Sequence, residues 1–66
     1  MHVSVNNERR QLPSPCTVAD LLQQLGYTAG KVAVAVNSEF VPRSQYAGRQ
    51  LADGDCVDVL AAVQGG

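Results

Sequence analysis

The chain has 66 residues, a formal net charge of −1, 45% hydrophobic residues and only 17% charged ones. A chain this short is a single domain that buries about 60% of its surface on folding, which excludes an internal active site built from several layers and favours a carrier, a binding module or an interaction partner over a free-standing enzyme. Its basic residues Arg9, Arg10, Lys31, Arg43 and Arg49 are scattered, which excludes the clustered basic patch of a nucleic-acid binder.

Met1 to Asn6 alternates apolar and polar residues, the pattern of a half-buried strand. Asn6-Asn7 predicts a tight hairpin, because asparagine tolerates the positive φ such turns need. Glu8 to Leu12 then returns as a second strand and is stopped by Pro13-Ser14-Pro15. Thr17 to Leu25 is the clearest element. Val18, Leu21, Leu22 and Leu25 fall on one helical face. Thr17 suits the N-cap, Asp20 can satisfy a free amide, and Gly26 suits a left-handed C-cap. Tyr27 to Gly30 reads as a loop in which Tyr27 packs, as Met1 packs into the core. Lys31 to Val36 is a strand with Val32, Val34 and Val36 on one face. Asn37-Ser38 turns into a short strand, Glu39 to Val41, ended by Pro42. Arg43 to Tyr46 predicts a helical turn, Asp53-Gly54-Asp55 a turn, and Cys56 to Leu60 a last strand.

The order ββαβ(β)β predicts an α+β domain of two layers, with the leucine face of the helix against the valine faces of the strands. The simplest such fold at this length is a ubiquitin-like β-grasp: a mixed sheet of four to five strands wrapped on one helix. The link from the second strand through the helix to the third can cross over to a parallel neighbour. Residues 1–60 form the domain and residues 61–66 a flexible tail.

No apolar run reaches the ~20 residues of a membrane span, and the first residues lack the regions of a signal peptide. The expected location is cytoplasmic, without membrane or nucleic acid, and the expected state is a monomer. Cys16 and Cys56 lie 40 positions apart without a CxxC motif, so both are expected as free, half-buried thiols, a single bridge being the alternative. No metal site is expected, since His2 is the only histidine. Asp53, Asp55 and Asp58 read first as turn formers on a solvated face, and second as a weak site for a hard cation. No serine or threonine has a recognisable base, and no phosphate-binding glycine motif occurs, so no intrinsic cofactor is expected.

The unusual feature is the sequence Ala61-Ala62-Val63-Gln64-Gly65-Gly66. Gly65 and Gly66 have no side chains and are costly to order. One reading is a frayed terminus. The other is chemical. A Gly-Gly tip carrying a carboxylate can thread a channel too narrow for any Cβ and attack the α-phosphate of ATP on a partner enzyme. The acyl adenylate so formed is open to a sulfur or nitrogen nucleophile, towards which a free carboxylate is inert.

At this point the residues reach a resemblance. The whole chain resembles the ThiS family, ubiquitin-like sulfur carriers of thiamine biosynthesis. The likeness is carried by Val5-Asn6-Asn7-Glu8, by Thr17-Val18-Ala19-Asp20-Leu21-Leu22 and by Val36-Asn37-Ser38-Glu39-Phe40-Val41-Pro42-Arg43-Ser44. It continues through Leu51-Ala52-Asp53-Gly54-Asp55-Cys56-Val57 to Val63-Gln64-Gly65-Gly66. The Asn-x-x-x-Val-Pro-Arg stretch is its most specific part. Asn7 stands where the family often has glycine, and Tyr46 where it often has tryptophan. These departures are expected to alter only a local turn or surface packing.

The resemblance implies that a ThiF-like adenylyltransferase, using ATP and magnesium, adenylates the Gly66 carboxylate. Sulfur from a cysteine-derived persulfide then converts it to a thiocarboxylate. The thiocarboxylate gives sulfur to thiazole formation on a ThiG-like thiazole synthase, and the chain is a recycled co-substrate and not itself an enzyme. The alternatives are the small subunit of molybdopterin synthase, against which Val41-Pro42-Arg43 argues, a ubiquitin-like protein modifier, and a plain binding module. Partner contacts are expected from the tail residues Val63 and Gln64. Leu60 falls opposite the core-facing valines and Phe40 next to inward Val41, so both are expected on the open face as a docking patch, the alternative being that Phe40 only covers a sheet edge. Arg43 either meets an acidic partner surface or is solvated.

Overall fold

In a computed structural model, residues 1–61 are described. The tail residues Val63, Gln64, Gly65 and Gly66, expected to meet a partner, lie outside them. The elements are strand β1 (His2–Val5), strand β2 (Glu8–Gln11), helix α1 (Val18–Leu25), strand β3 (Val32–Val36), strand β4 (Glu39–Val41) and strand β5 (Cys56–Ala61). Short 3-10 turns occupy Ala29–Lys31 and Arg43–Gln45. The first of these falls where the sequence predicts a plain loop.

The two hairpins form where asparagine permits them. Asn6 and Asn7 have φ of 51° and 69°, and Asn37 and Ser38 have φ of 52° and 68°. Positive φ at both central residues matches the turn to the right-handed twist of the strands it joins. The sheet order is β2-β1-β5-β3-β4. The β1–β2, β3–β4 and β3–β5 pairs are antiparallel, and the β1–β5 pair is parallel. This is the mixed five-stranded sheet of a β-grasp. The parallel neighbours are therefore the first and last strands, not the two flanking the helix. The crossover through α1 carries the chain from one side of the sheet to the other, past the gap that β5 fills. Ala61, assigned to the tail by sequence, is the last residue of β5 and pairs with Val32.

Helix α1 has only eight residues and is held at both ends. Asp20 N–H donates to Thr17 Oγ1, and Thr17 N–H donates to Asp20 Oδ2, both at 3.1 Å. That reciprocal pair is a capping box. The next two amides are met from outside the helix. Val18 N–H donates to the Arg49 carbonyl at 2.9 Å and Ala19 N–H to that of Tyr46 at 3.0 Å. At the other end Gly26 has φ of 81° and Tyr27 N–H returns to the Leu22 carbonyl at 2.9 Å. The buried side chains of α1, Val18, Leu21 and Leu22, meet Val3, Val5, Val34, Val36, Val41, Val57 and Val59 from the sheet.

Leu12, Cys16, Tyr46 and Leu51 complete this core, with Met1 and Tyr27 packed against it. Two of these correct the sequence reading. Tyr46 is only 4% exposed, and its hydroxyl donates to the Val32 carbonyl at 3.3 Å, so it is a core residue rather than surface packing. Cys16 is fully buried and Cys56 is exposed; neither is half-buried, and both are free.

Leu21→Ala removes a fully buried side chain and is expected to cost about 2–5 kcal/mol. That is comparable to the whole stability of a core this small. Thr17→Ala breaks the capping box and is expected to cost about 1 kcal/mol. Urea unfolding followed by circular dichroism checks both: a lowered midpoint for Thr17→Ala, and no folded baseline or a barely visible one for Leu21→Ala.

Candidate functional site

The end of β5 is the candidate site, because it leads directly to Gly65-Gly66. Alternation along β5 sends Val57 and Val59 into the core and Asp58 and Leu60 to the open face of the sheet. Ala33 pairs with Leu60, and Ala35 pairs with both Asp58 and Phe40. The two alanines are short, so they leave a floor between taller neighbours. The result is a shallow hollow of about 120 Å³ lined by Ala33, Val34, Ala35, Phe40, Asp58 and Leu60. Phe40 is 67% and Leu60 71% exposed, the two large apolar side chains left open to solvent among the described residues. The structure thus brings Phe40 and Leu60 together near Ala61, the last described residue of β5.

Arg43 does not line this hollow. It is exposed on the turn after β4, and its guanidinium lies across Gly30, where an added Cβ would sit 2.9 Å from Nη1. Gly30 lies two residues before Val32, the partner of Ala61. Arg43 therefore stands at the same end of the sheet as the chain exit, apart from the apolar pair.

The three aspartates have separate tasks. Asp53 Oδ1 accepts the His2 N–H at 2.7 Å. Asp55 accepts from Ala52 N–H at 2.8 Å and from the Asn37 side chain at 3.0 Å. Asp58 stands on the rim of the hollow. Among the described residues no three His, Cys, Asp or Glu side chains come together. No helix among them is long and apolar enough to cross a membrane.

Sequence reasoning missed the asparagine side chains that grip β5. Asn37 Oδ1 accepts from Cys56 N–H at 3.0 Å. Asn6 Oδ1 accepts from Val59 N–H at 2.8 Å, and Asn6 Nδ2 donates to the Val59 carbonyl at 3.1 Å. The turn signal of asparagine speaks only to its φ; its side-chain amide, which offers both a donor and an acceptor, is the signal for these contacts.

Burial, followed by the nearby Asp20 charge, pushes the Cys16 thiol up from its ordinary value, so it stays protonated and unreactive. In native buffer an aromatic disulfide reagent is expected to modify one thiol per chain, Cys56, and the second only in denaturant; Cys56→Ser removes the fast phase. The Asp53 carboxyl is held below 3.8 by the His2 N–H it accepts, against a smaller opposing effect of burial. Positive charge on His2, the amino terminus and Arg9 adds to the lowering. A folded-state value below the unfolded one contributes stability above the unfolded value and loses it as pH falls through the folded one. The midpoint of Asp53→Asn is therefore expected to fall less than the parent's as pH drops below 3.8, read by thermal melts across an acid series.

Residues 3–66 match the model of the ThiS family. The chain is 33% identical to the sulfur carrier protein ThiS of Escherichia coli over the full length of both. It is 38% identical to that of Thermus thermophilus, covering 97% of this chain and 98% of the relative. It is 41% identical to a region of a thiazole synthase from Paramagnetospirillum magneticum, and spans only 20% of that protein's length. The crystal structure of a ThiS thiamine biosynthesis protein from Geobacter metallireducens superposes with a TM-score of 0.83 at 29% identity, covering both chains fully. With the β-grasp sheet, the apolar pair beside the chain exit and a family match that runs through Gly66, the chain belongs to the ThiS family, the sulfur carriers of thiamine biosynthesis.

Proposed function

We propose that this chain carries sulfur on the Gly66 carboxylate, as a co-substrate of partner enzymes in the cytoplasm and with no catalytic centre of its own. The observation that carries this reading is the family match, which extends through Gly65-Gly66. A ThiF-like adenylyltransferase supplies ATP and magnesium. The carboxylate oxygen attacks the α-phosphate and pyrophosphate leaves, giving an acyl adenylate. The terminal sulfur of a persulfide then displaces AMP, and a second thiol cleaves the S–S bond to leave the thiocarboxylate. Its sulfur passes to thiazole formation on a ThiG-like synthase and the carboxylate returns. The relative named as a thiazole synthase supports that partner, since it holds a region similar to this chain within one polypeptide. Covalent linkage of that kind raises the local concentration of one module at the other.

The globular part docks through Phe40 and Leu60. Burying two exposed apolar side chains next to the exit anchors the domain while Val63, Gln64, Gly65 and Gly66 enter the partner's channel. Glycine at the last two positions lets the channel be too narrow for other residues. Arg43 adds a charge at the same end that suits an acidic rim.

Incubation with the adenylyltransferase, ATP and a sulfur source is expected to exchange one oxygen for sulfur, seen as the corresponding gain in intact mass and localised to Gly66. No gain with a competent partner overturns the carrier reading, and lysine-linked conjugates in extract support a protein modifier instead. Deleting Gly66 abolishes charging with the circular dichroism spectrum unchanged. Combined Phe40→Ala and Leu60→Ala raises the KM for the carrier by about tenfold or more, with the urea midpoint nearly unchanged because both side chains are already exposed.

A further inference from the structure

We propose that Asn6 is a positioning residue for charging: its side chain holds Val59 and so fixes the last described residues of β5, Leu60 and Ala61, ahead of Gly66 in the sequence. The inference rests on the carrier reading above. It starts from how the parallel β1–β5 ladder ends. Ser4 N–H donates to the Asp55 carbonyl and Asn6 N–H to that of Val57, both at 2.9 Å. A further step of the ladder needs an acceptor for Val59 N–H and a donor for the Val59 carbonyl. Backbone cannot supply them, because the chain turns away at Asn6 with φ of 51°.

The Asn6 amide takes their place. It accepts from Val59 N–H at 2.8 Å and donates to the Val59 carbonyl at 3.1 Å. A primary amide carries the same C=O and N–H pair as a peptide group, so one side chain prolongs β1 by one residue without a strand. Val59 itself is 3% exposed and packs in the core, so the clamp ties the last inward residue of β5 from the side that β3 does not cover. Leu60 and Ala61 follow at once, paired with β3 alone. Their partners Ala33 and Val32 have no β4 neighbour, so beyond Val59 the sheet narrows to two strands, where twist is larger, and the clamp sits at the step where that narrowing begins. The reacting carboxylate lies seven positions beyond Val59. Displacement of a reacting atom by about 1 Å costs on the order of a hundredfold in rate.

Asn37 provides an internal control. Its Oδ1 likewise accepts a β5 backbone N–H, that of Cys56 at 3.0 Å, while its Nδ2 donates to the Asp55 carboxylate at 3.0 Å, at the first residue of β5 and away from Val59. Its φ of 52° also suits glycine. Asn6→Gly and Asn37→Gly thus each keep their turn and lose their clamp, but only the first loosens the exit.

The test compares steady-state charging of Gly66 by the adenylyltransferase with amide hydrogen exchange of the full chain. Asn6→Gly is expected to speed exchange at Val59 by at least about tenfold and to lower kcat by about tenfold, with KM within about twofold. Asn37→Gly is expected to leave kcat unchanged. Asn6→Asp, which keeps the acceptor and sets an oxygen against the Val59 carbonyl, lowers kcat in the same direction and serves if the glycine variant does not fold. Unchanged kcat in a folded Asn6 variant overturns the inference, as does unchanged exchange at Val59. An equal loss of kcat in Asn37→Gly reduces the effect to general stability and overturns it too. A wild-type chain that takes up no sulfur defeats the carrier reading and this inference with it. A wild type that charges beside an unaffected Asn6 variant defeats the inference alone.

Discussion

The last strand in the chain occupies the centre of the sheet, and the rest of the structure depends on that placement. β5 lies between β1 and β3, so neither hairpin can complete its pairing until the C-terminal strand arrives. The two hairpins are local and the helix is short. What joins them is the insertion of Val57 and Val59 between the valines of β1 and β3, under Leu21 and Leu22. Each inward valine on β5 serves both the sheet and the helix layer. A functional end attached to this strand is therefore attached to the part of the domain with the most neighbours to lose.

That arrangement separates the folding face of β5 from its proposed docking face along six residues. Cys56, Asp58 and Leu60 face outward, while Val57 and Val59 face the core. Period-two alternation makes both faces available within one strand. The inward face carries the fold, and the outward face carries the hollow bounded by Phe40 and Leu60. Ala33 and Ala35 beneath them are small, so the hollow exists without a break in the sheet. Larger residues there would fill it and leave the core unaltered.

Much of this was legible in the sequence, and the reason differs by element. The helix was legible because Val18, Leu21, Leu22 and Leu25 share a face and because Thr17, Asp20 and Gly26 mark its ends. The hairpins were legible from Asn6-Asn7 and Asn37-Ser38, and the outward places of Phe40 and Leu60 from alternation. Tyr46 was not legible as core. Its burial comes from the loop that folds over the start of α1, where Tyr46 and Arg49 carbonyls accept from Ala19 and Val18. Such a cap made by distant backbone leaves no local pattern. The same holds for Cys16, whose burial follows from Leu51 N–H donating to its carbonyl at 2.8 Å. Strand order was hidden for a related reason: periodicity reports which face a residue takes, not which strand it lies beside.

The asparagine clamps belong to neither class, and they show what a turn residue adds beyond its turn. Glycine would meet the same φ requirement at positions 6 and 37. It would leave Val59 N–H and Cys56 N–H without these partners. The Val59 amide is half-buried, and such a group without a partner costs about 1–3 kcal/mol, a large share of what a 66-residue core supplies. Asparagine meets both demands with one residue, and each clamp lands on β5, from opposite sides and at opposite ends. The hairpins thus hold the central strand by their turns as well as by their ladders. The chain runs on from that strand to the proposed sulfur-carrying Gly66, and the grip on Val59 is the one proposed to bear on charging as well as on folding.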